Sequence, residues 1–166
     1  MTVVTIRLAG ASDAPLLHQA ILAMARGLGA EAKVRSTPDD LCRHGFSEKP
    51  AFEALIAEVD GMFAGMCLYF PSFSTWRGEP GLYVQDIYVE PGFRGRRIGE
   101  RLLGAVAARG RQGGALYLRL SVDADNRGAQ AFYNRLGIEW SQGERIHAIY
   151  GDAFAVLAER DIGKEG

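Results

Sequence analysis

The stretch from Gly81 to Gly99, GLYVQDIYVEPGFRGRRIG, constrains this chain more than any other. Leu82 to Val89 is a run of β-branched and aromatic residues broken by one polar pair, Gln85-Asp86, and it reads as a strand. Pro91-Gly92 stops that strand. Phe93-Arg94-Gly95-Arg96-Arg97-Ile98-Gly99 then leads into Ile98, Leu102, Leu103 and Val106, whose spacing places them on one helical face. Strand, glycine-bearing loop and helix start together aim backbone N–H groups at an anion, because the first N–H groups of a helix have no internal partner and the helix dipole is positive there. Arg94, Arg96 and Arg97 add charge, and the segment reads as a pyrophosphate cradle. The plain alternative is a chain reversal that binds nothing. The loop lacks the Gly-Lys-Ser/Thr ending of a Walker loop and the G-x-G-x-x-G run of a dinucleotide loop.

The remaining segments predict one α/β domain over residues 1–166. Val3 to Leu8 alternates as a strand. Ser12-Asp13 starts a helix with an apolar stripe at Leu16, Leu17, Ala20, Ile21 and Met24, which Gly27 and Gly29 end. Thr37 caps a short helix with Pro38 in its first turn. Phe52 to Val59 and Met62 to Phe70 flank Asp60-Gly61, a hairpin signal. Pro71 to Pro80 reads as a turn-rich surface loop whose Phe73 and Trp76 either cover a site or pack on the hairpin. Leu116 to Val122 predicts a strand, Asn126 to Leu136 a helix, and Ile138 to Ser141 and Arg145 to Tyr150 short strands. Gly151 to Arg160 is a helix or a continuing strand. A net charge of −1 gives no general attraction to nucleic acid or to anionic membranes. Cys42, Cys67 and three scattered histidines have no metal-ligand spacing, and no cysteine sits at a dyad spacing from a histidine. With no signal peptide or long apolar stretch, the expectation is a soluble cytoplasmic protein without metal, nucleic acid or membrane partners.

Arg94 and Gly99 occupy the ends of the pattern Arg/Gln-x-x-Gly-x-Gly/Ala, with Arg97 in place of the middle glycine. Asp125-Asn126-Arg127-Gly128-Ala129-Gln130-Ala131-Phe132-Tyr133-Asn134-Arg135-Leu136-Gly137 follows about twenty residues beyond the loop. These two signatures, in this order, resemble the GNAT acetyltransferase superfamily. Leu41 to Pro50, Ala57-Glu58-Val59, Tyr69-Phe70 and Trp76 ahead of Leu82-Tyr83 resemble its spermidine/spermine (diamine) and thialysine acetyltransferase branch, so the likeness runs from about Ile6 to Leu157.

That resemblance implies a GNAT fold, a mixed and mainly antiparallel sheet of six to seven strands with helices on both faces and a splayed central strand pair. It implies direct transfer of acetyl from acetyl-CoA, a co-substrate, to a primary amine, and a homodimer. By position, Ile87, Tyr88 and Val89 hold the pantetheine arm through the main chain, and Arg94, Gly95, Arg96, Arg97, Ile98, Gly99 and Glu100 contact the pyrophosphate. Arg97 is compatible with this if its backbone stays helical, with φ near −60°. Asn126 caps its helix, contacts the cofactor, or does both. Tyr133 is the candidate general acid, since a phenol of pKa near 10 is protonated at neutral pH. Where the diamine branch carries Glu-Asp, this chain has Gln85-Asp86. Gln85 cannot take a proton, which leaves Asp86, water, Glu31 or His147 for the base. His147 otherwise reads as a partly buried strand residue. Alternation sends Gln85 and Asp86 to opposite faces unless a bulge intervenes. Substrate contacts fall to Asp86, Glu31 and Trp76. The sparse acids around Glu31 and at Ser74 argue for a smaller or less cationic amine than spermidine, an amino acid or an analogue such as thialysine. Acetylation of a protein or peptide and a non-catalytic acyl-CoA binding module are the alternative readings.

Overall fold

The structure, a computed structural model, describes residues 1–160, so the last six residues of the expected 1–166 domain lie outside it. It contains two compact units, divided between Ala124 and Asp125. The first unit holds five strands in the order β1-β2-β3-β4-β5: β1 (Val4–Leu8), β2 (Glu53–Val59), β3 (Met62–Ser74), β4 (Glu79–Val89) and β5 (Leu118–Leu120). β1 with β2, β2 with β3 and β3 with β4 pair antiparallel, and β4 pairs with β5 in parallel. The helices are α1 (Ala14–Gly27), α2 (Pro38–Gly45) and α3 (Ile98–Gln112) in the first unit, and α4 (Arg127–Arg135) and α5 (Gly151–Ala158) in the second.

The hairpin between β2 and β3 turns on Asp60 and Gly61 with φ of 50° and 79°. Both positive values suit the twist of a two-residue connection. Thr37 caps α2 reciprocally, its hydroxyl accepting from Asp40 N at 3.2 Å while the Asp40 carboxylate accepts from Thr37 N at 2.9 Å.

Sheet pleating separates two cores. Ala54, Ile56, Met66, Leu68 and Tyr88 face α1 and α2, where Leu17, Ala20 and Leu41 close over them. On the opposite face, Gly65 lies beneath Leu102, whose Cδ1 would be 3.4 Å from a Cβ at that position, and Leu82 packs on Gly110, so α3 covers that side with Ile98, Leu102, Leu103 and Val106. Leu17, Ile56, Met66, Ile98 and Leu102 are almost fully enclosed, each contributing about 1.5–3 kcal/mol of burial. Gly65 is required here, because a Cβ would come within 2.4 Å of the Tyr88 carbonyl oxygen.

Three expectations are corrected. The segment 71–80 is not a loop, since β3 runs through Ser74 and β4 begins at Glu79, leaving Thr75 to Gly78 as the turn. Its prolines are tolerated for a geometric reason. Leu82 donates its N–H to Tyr117 O at 2.9 Å, so its partner Pro71 faces away from β4, beyond the last paired residue of β2, and no ladder bond is lost. The strand count among the described residues is five rather than six to seven. Residues 138–141 and 145–150 have no ladder partner, and His147 is exposed on an irregular segment rather than half-buried on a strand. Gly151–Ala158 is helical.

Candidate functional site

The parallel pairing of β4 with β5 spans only Leu82↔Leu118, Tyr83↔Arg119 and Val84↔Leu120. From Gln85 onward β4 pairs with β3 alone, which opens one edge of the strand. Glu90 donates to Ala64 O on β3 at 2.8 Å, and the Tyr88 carbonyl also points to β3, over Gly65. By alternation, the backbone groups of Ile87 and Val89 face the open edge. The Val89 carbonyl accepts there from Arg94 Nε at 3.1 Å.

The loop after β4 leads to the start of α3. Arg101 donates to Arg97 O at 3.0 Å, the first bond of the helix, so the N–H groups of Ile98, Gly99 and Glu100 precede the helical ladder. Gly95 has φ of 77°. Arg97 has φ of 60° and ψ of 22° as the N-terminal flanking residue of α3. The expected φ near −60° is therefore wrong: the backbone keeps the left-handed conformation suited to the glycine that Arg97 replaces. Its side chain does turn outward, bonding Glu100 at 2.9 Å. Arg96 lies over the Phe93 ring, 5.4 Å from its centroid. The loop thus sets Arg94 and Arg96 beside a helix start and an open strand edge, while the Arg97 guanidinium is turned out to Glu100; a helix start of this kind favours anions.

Gln85 has no partner on β3: Leu68 pairs with Asp86 and Tyr69 with Val84, so the strand bulges at Gln85. Gln85 is exposed. Asp86 shares its face with Leu68, the side of α1 and α2. Its carboxylate has no hydrogen bond or ion pair among the described residues, and burial raises its pKa from 3.8 to about 6. Behind it, burial and then the Asp86 charge push the Cys67 thiol up to about 12.

Glu31 lies between α1 and α2 beside an open depression of about 510 Å³ lined also by Arg26, Gly29 and Ala32. Arg26 bonds both its oxygens, at 2.7 and 3.0 Å, which holds the Glu31 carboxyl below its ordinary pKa. Sequence reading passed over Arg26, although it stands in the last turn of α1, within reach of the loop that follows. Trp76 is 99% exposed at the turn between β3 and β4. In the second unit, Asn126 caps α4 by accepting from Ala129 N at 3.1 Å. Tyr133 is buried, its ring 5.3 Å from that of Phe132.

Residues 17–138 match the model of the acetyltransferase (GNAT) family. A thialysine N-epsilon-acetyltransferase of Bos taurus is 32% identical over 169 aligned residues, spanning 95% of this chain and 99% of the relative. In solved structures, an integron cassette protein from the mobile metagenome of V. cholerae superposes with a TM-score of 0.77 at 20% identity, over 94% of this chain and 98% of that one. The aminoglycoside N-acetyltransferase AAC(6')-Iy, solved with CoA, gives a TM-score of 0.68 at 18% identity over 91% and 96%. Those two likenesses concern the fold. An open-edged β4 running into an arginine-rich helix start defines an acyl-transfer fold of the kind that the sequence resembles. The chain belongs to the GNAT acetyltransferase family, and it is an N-acetyltransferase.

Proposed function

We propose that the protein moves the acetyl group of acetyl-CoA to the primary amine of a small, weakly cationic molecule by direct attack of the neutral amine. The acceptor is an amino acid or an analogue of the thialysine type rather than spermidine. The observation that carries this reading is Asp86, a half-buried carboxylate without a partner among the described residues, on a strand whose other edge is open to a pantetheine arm. At pH 7 to 8 a carboxyl with pKa about 6 is ionised, and a desolvated charge without a partner favours a cation beside it. A polyamine needs further spaced carboxylates. Glu31 is engaged with Arg26 and does not supply one.

In this reading, the N–H and C=O groups of Ile87 and Val89 hold the arm. Tyr88 turns its own backbone to β3. Arg94 and Arg96 with the amides of Ile98, Gly99 and Glu100 bind the pyrophosphate, Arg97 contributes through its backbone while its side chain stays on Glu100, and Gly95 gives the backbone room to turn. An edge N–H of β4 polarises the thioester carbonyl, and the thioester supplies the activated acyl group. Asp86 draws in the ammonium, whose proton leaves through water at the exposed Gln85. Tyr133 protonates the departing thiolate and is restored by the second proton, which the nitrogen loses as it becomes an amide, a role assigned from the Phe-Tyr signature; Asn126 orders the start of that helix. Trp76, in the turn beyond Ser74, stands about 20 Å along the strands from Asp86 at roughly 3.3 Å per residue, too far to touch a small acceptor held there. Residues 1–166 make up one catalytic domain. A homodimer in the cytoplasm is part of the proposal; Trp140, Ile146, Phe154 and Leu157, all exposed in the single chain, support it. Light scattering at micromolar concentration tests it.

Thiol release from acetyl-CoA, measured with spermidine, putrescine, lysine, thialysine and a peptide on wild type and Tyr133→Phe, tests the function. Turnover on a small amine falling at least tenfold in the variant is expected. A spermidine preference of tenfold or more over the lysine analogues would refute the acceptor class, and turnover on the peptide alone would favour the protein or peptide reading.

A further inference from the structure

β4 ends at Val89, and the chain turns at once. Phe93 donates its N–H to Glu90 O at 2.9 Å and Arg94 donates to Pro91 O at 3.3 Å, which closes the single turn Pro91–Phe93. The turn folds the chain back, so Arg94 returns to the strand that it has just left. Its Nε donates to the Val89 carbonyl oxygen at 3.1 Å, although the two residues are five positions apart. Both groups lie at the outer edge of the sheet. Arg94 is exposed, and the Val89 carbonyl faces away from β3, because the next N–H along, that of Glu90, bonds Ala64 on β3.

Past Val84 no residue of β5 pairs with β4, so Val89 offers an acceptor on the open stretch of that edge, and a guanidinium stands on it. A carbonyl oxygen takes its donor close to its own plane, along the lone-pair directions. An amide N–H that approaches Val89 from the open side meets the guanidinium first. The neighbouring arginines are held elsewhere: Arg96 lies over the Phe93 ring, 5.4 Å from its centroid, and Arg97 bonds Glu100 at 2.9 Å. Arg94 is thus the arginine of this loop that rests on the strand.

We propose that Arg94 is a specificity-determining residue for the acyl donor, closing the β4 edge to a pantetheine thioester without a pyrophosphate and opening it to one that carries the pyrophosphate. This deepens the transferase reading above and rests on it. In the free protein the Arg94 guanidinium occupies the Val89 carbonyl and competes with the amide of an arriving arm. A phosphate oxygen is a stronger partner for a guanidinium than a neutral carbonyl is, and it takes the guanidinium in a bidentate fork. The anion-favouring start of α3 lies four residues beyond Arg94. Arg94 therefore moves from the strand to the phosphates when they are present, and Val89 is freed. The apparent affinity of a ligand is reduced by the fraction of sites that are open to it. A donor without the pyrophosphate bears that reduction in full.

Binding to the full chain tests this, with CoA measured by calorimetry and pantetheine by ligand-observed NMR, on wild type, Arg94→Ala and Arg96→Ala. Arg94→Ala is expected to weaken CoA at least tenfold and to tighten pantetheine at least threefold, opposite signs from one substitution. Arg96→Ala removes a loop cation that does not rest on the strand, and it is expected to weaken CoA while leaving pantetheine within twofold of wild type. Both side chains are exposed, and far-UV circular dichroism reports that the variants are folded. The inference is overturned if Arg94→Ala leaves pantetheine affinity unchanged or lowers it. It is also overturned if Arg96→Ala tightens pantetheine by the same factor, since loss of charge alone would then account for the gain. Failure of CoA to bind the wild type would overturn the acetyl-CoA reading and this inference together, whereas CoA binding with no gain for pantetheine in Arg94→Ala overturns the inference alone.

Discussion

Asp86→Asn gives a prediction whose size follows from the carboxyl's surroundings. Burial moves this group from 3.8 to about 6, so the native state holds a proton that the unfolded chain has already released. Between about pH 4 and pH 6 the wild type therefore loses stability as pH rises, and above the folded value the loss is complete. At 1.36 kcal/mol per pH unit, the displacement corresponds to about 3 kcal/mol. Asparagine has the same shape and does not titrate, so the variant lacks this loss. Near pH 4 the two proteins should be within about 1 kcal/mol of each other. By pH 7 the variant should lead by about 2–3 kcal/mol, or roughly 5–10 °C in Tm for a domain of this size. Urea unfolding of both proteins at fixed concentration, at half-unit steps from pH 4 to 8, reads the difference directly. The same variant should lose at least a hundredfold in kcat/KM for the amine, so stability rises as function falls. A stability difference that stays flat with pH would refute the reasoning, because it would mean that the carboxylate is solvated or paired in the folded protein.

Other substitutions read the remaining features. Arg97→Gly removes the left-handed strain, about 1–2 kcal/mol, against added chain entropy and the loss of an exposed pair with Glu100 that contributes little. It should be more stable than Arg97→Ala by about 1 kcal/mol in thermal unfolding; equal stabilities would mean that the conformation is unstrained. Gly65→Ala drives a methyl into the Tyr88 carbonyl and should lower stability by about 1–3 kcal/mol, measured as a lower urea midpoint. Thr37→Ala removes the α2 cap and should cost about 1 kcal/mol. A thiol reagent at pH 8 should label one cysteine, the exposed Cys42, and reach Cys67 only after denaturation, since that thiol is buried and its pKa is pushed up to about 12.

Local signals carried much of this fold. Asp60-Gly61 specifies its turn because few residues accept two positive φ values, and Thr37-Pro38 marks the start of α2 because capping and fixed φ are properties of those residues alone. The hairpin from 62 to 89 was misread in its outer half, since Pro71 and Pro80 normally end strands. Their tolerance depends on which side of the ladder each nitrogen faces, and pairing decides that. Gln85-Asp86 stood out as a polar pair, yet the bulge that leaves one exposed and the other half-buried comes from the register of β3 against β4. Arg97 carried a signal that was read the wrong way: the glycine that it replaces in the family pattern itself indicates a positive φ. Arg26 facing Glu31, and Tyr117 over Gly81, arise from chain paths that no periodicity encodes. Residues 145–150 have strand-like composition, but composition does not provide the neighbouring edge that a strand requires.

All of these outcomes rest on the proposed acetyl transfer from acetyl-CoA to a small primary amine held by Asp86. Mass spectrometry of a mixed panel of small amines and one peptide, incubated with acetyl-CoA and either wild type or Asp86→Asn, tests it most directly. A singly acetylated small amine is expected from the wild type and at least a hundredfold less of it from the variant, with CoA affinity the same in both. Acetylation of the peptide alone, or a small-amine product formed equally by both proteins, would contradict it.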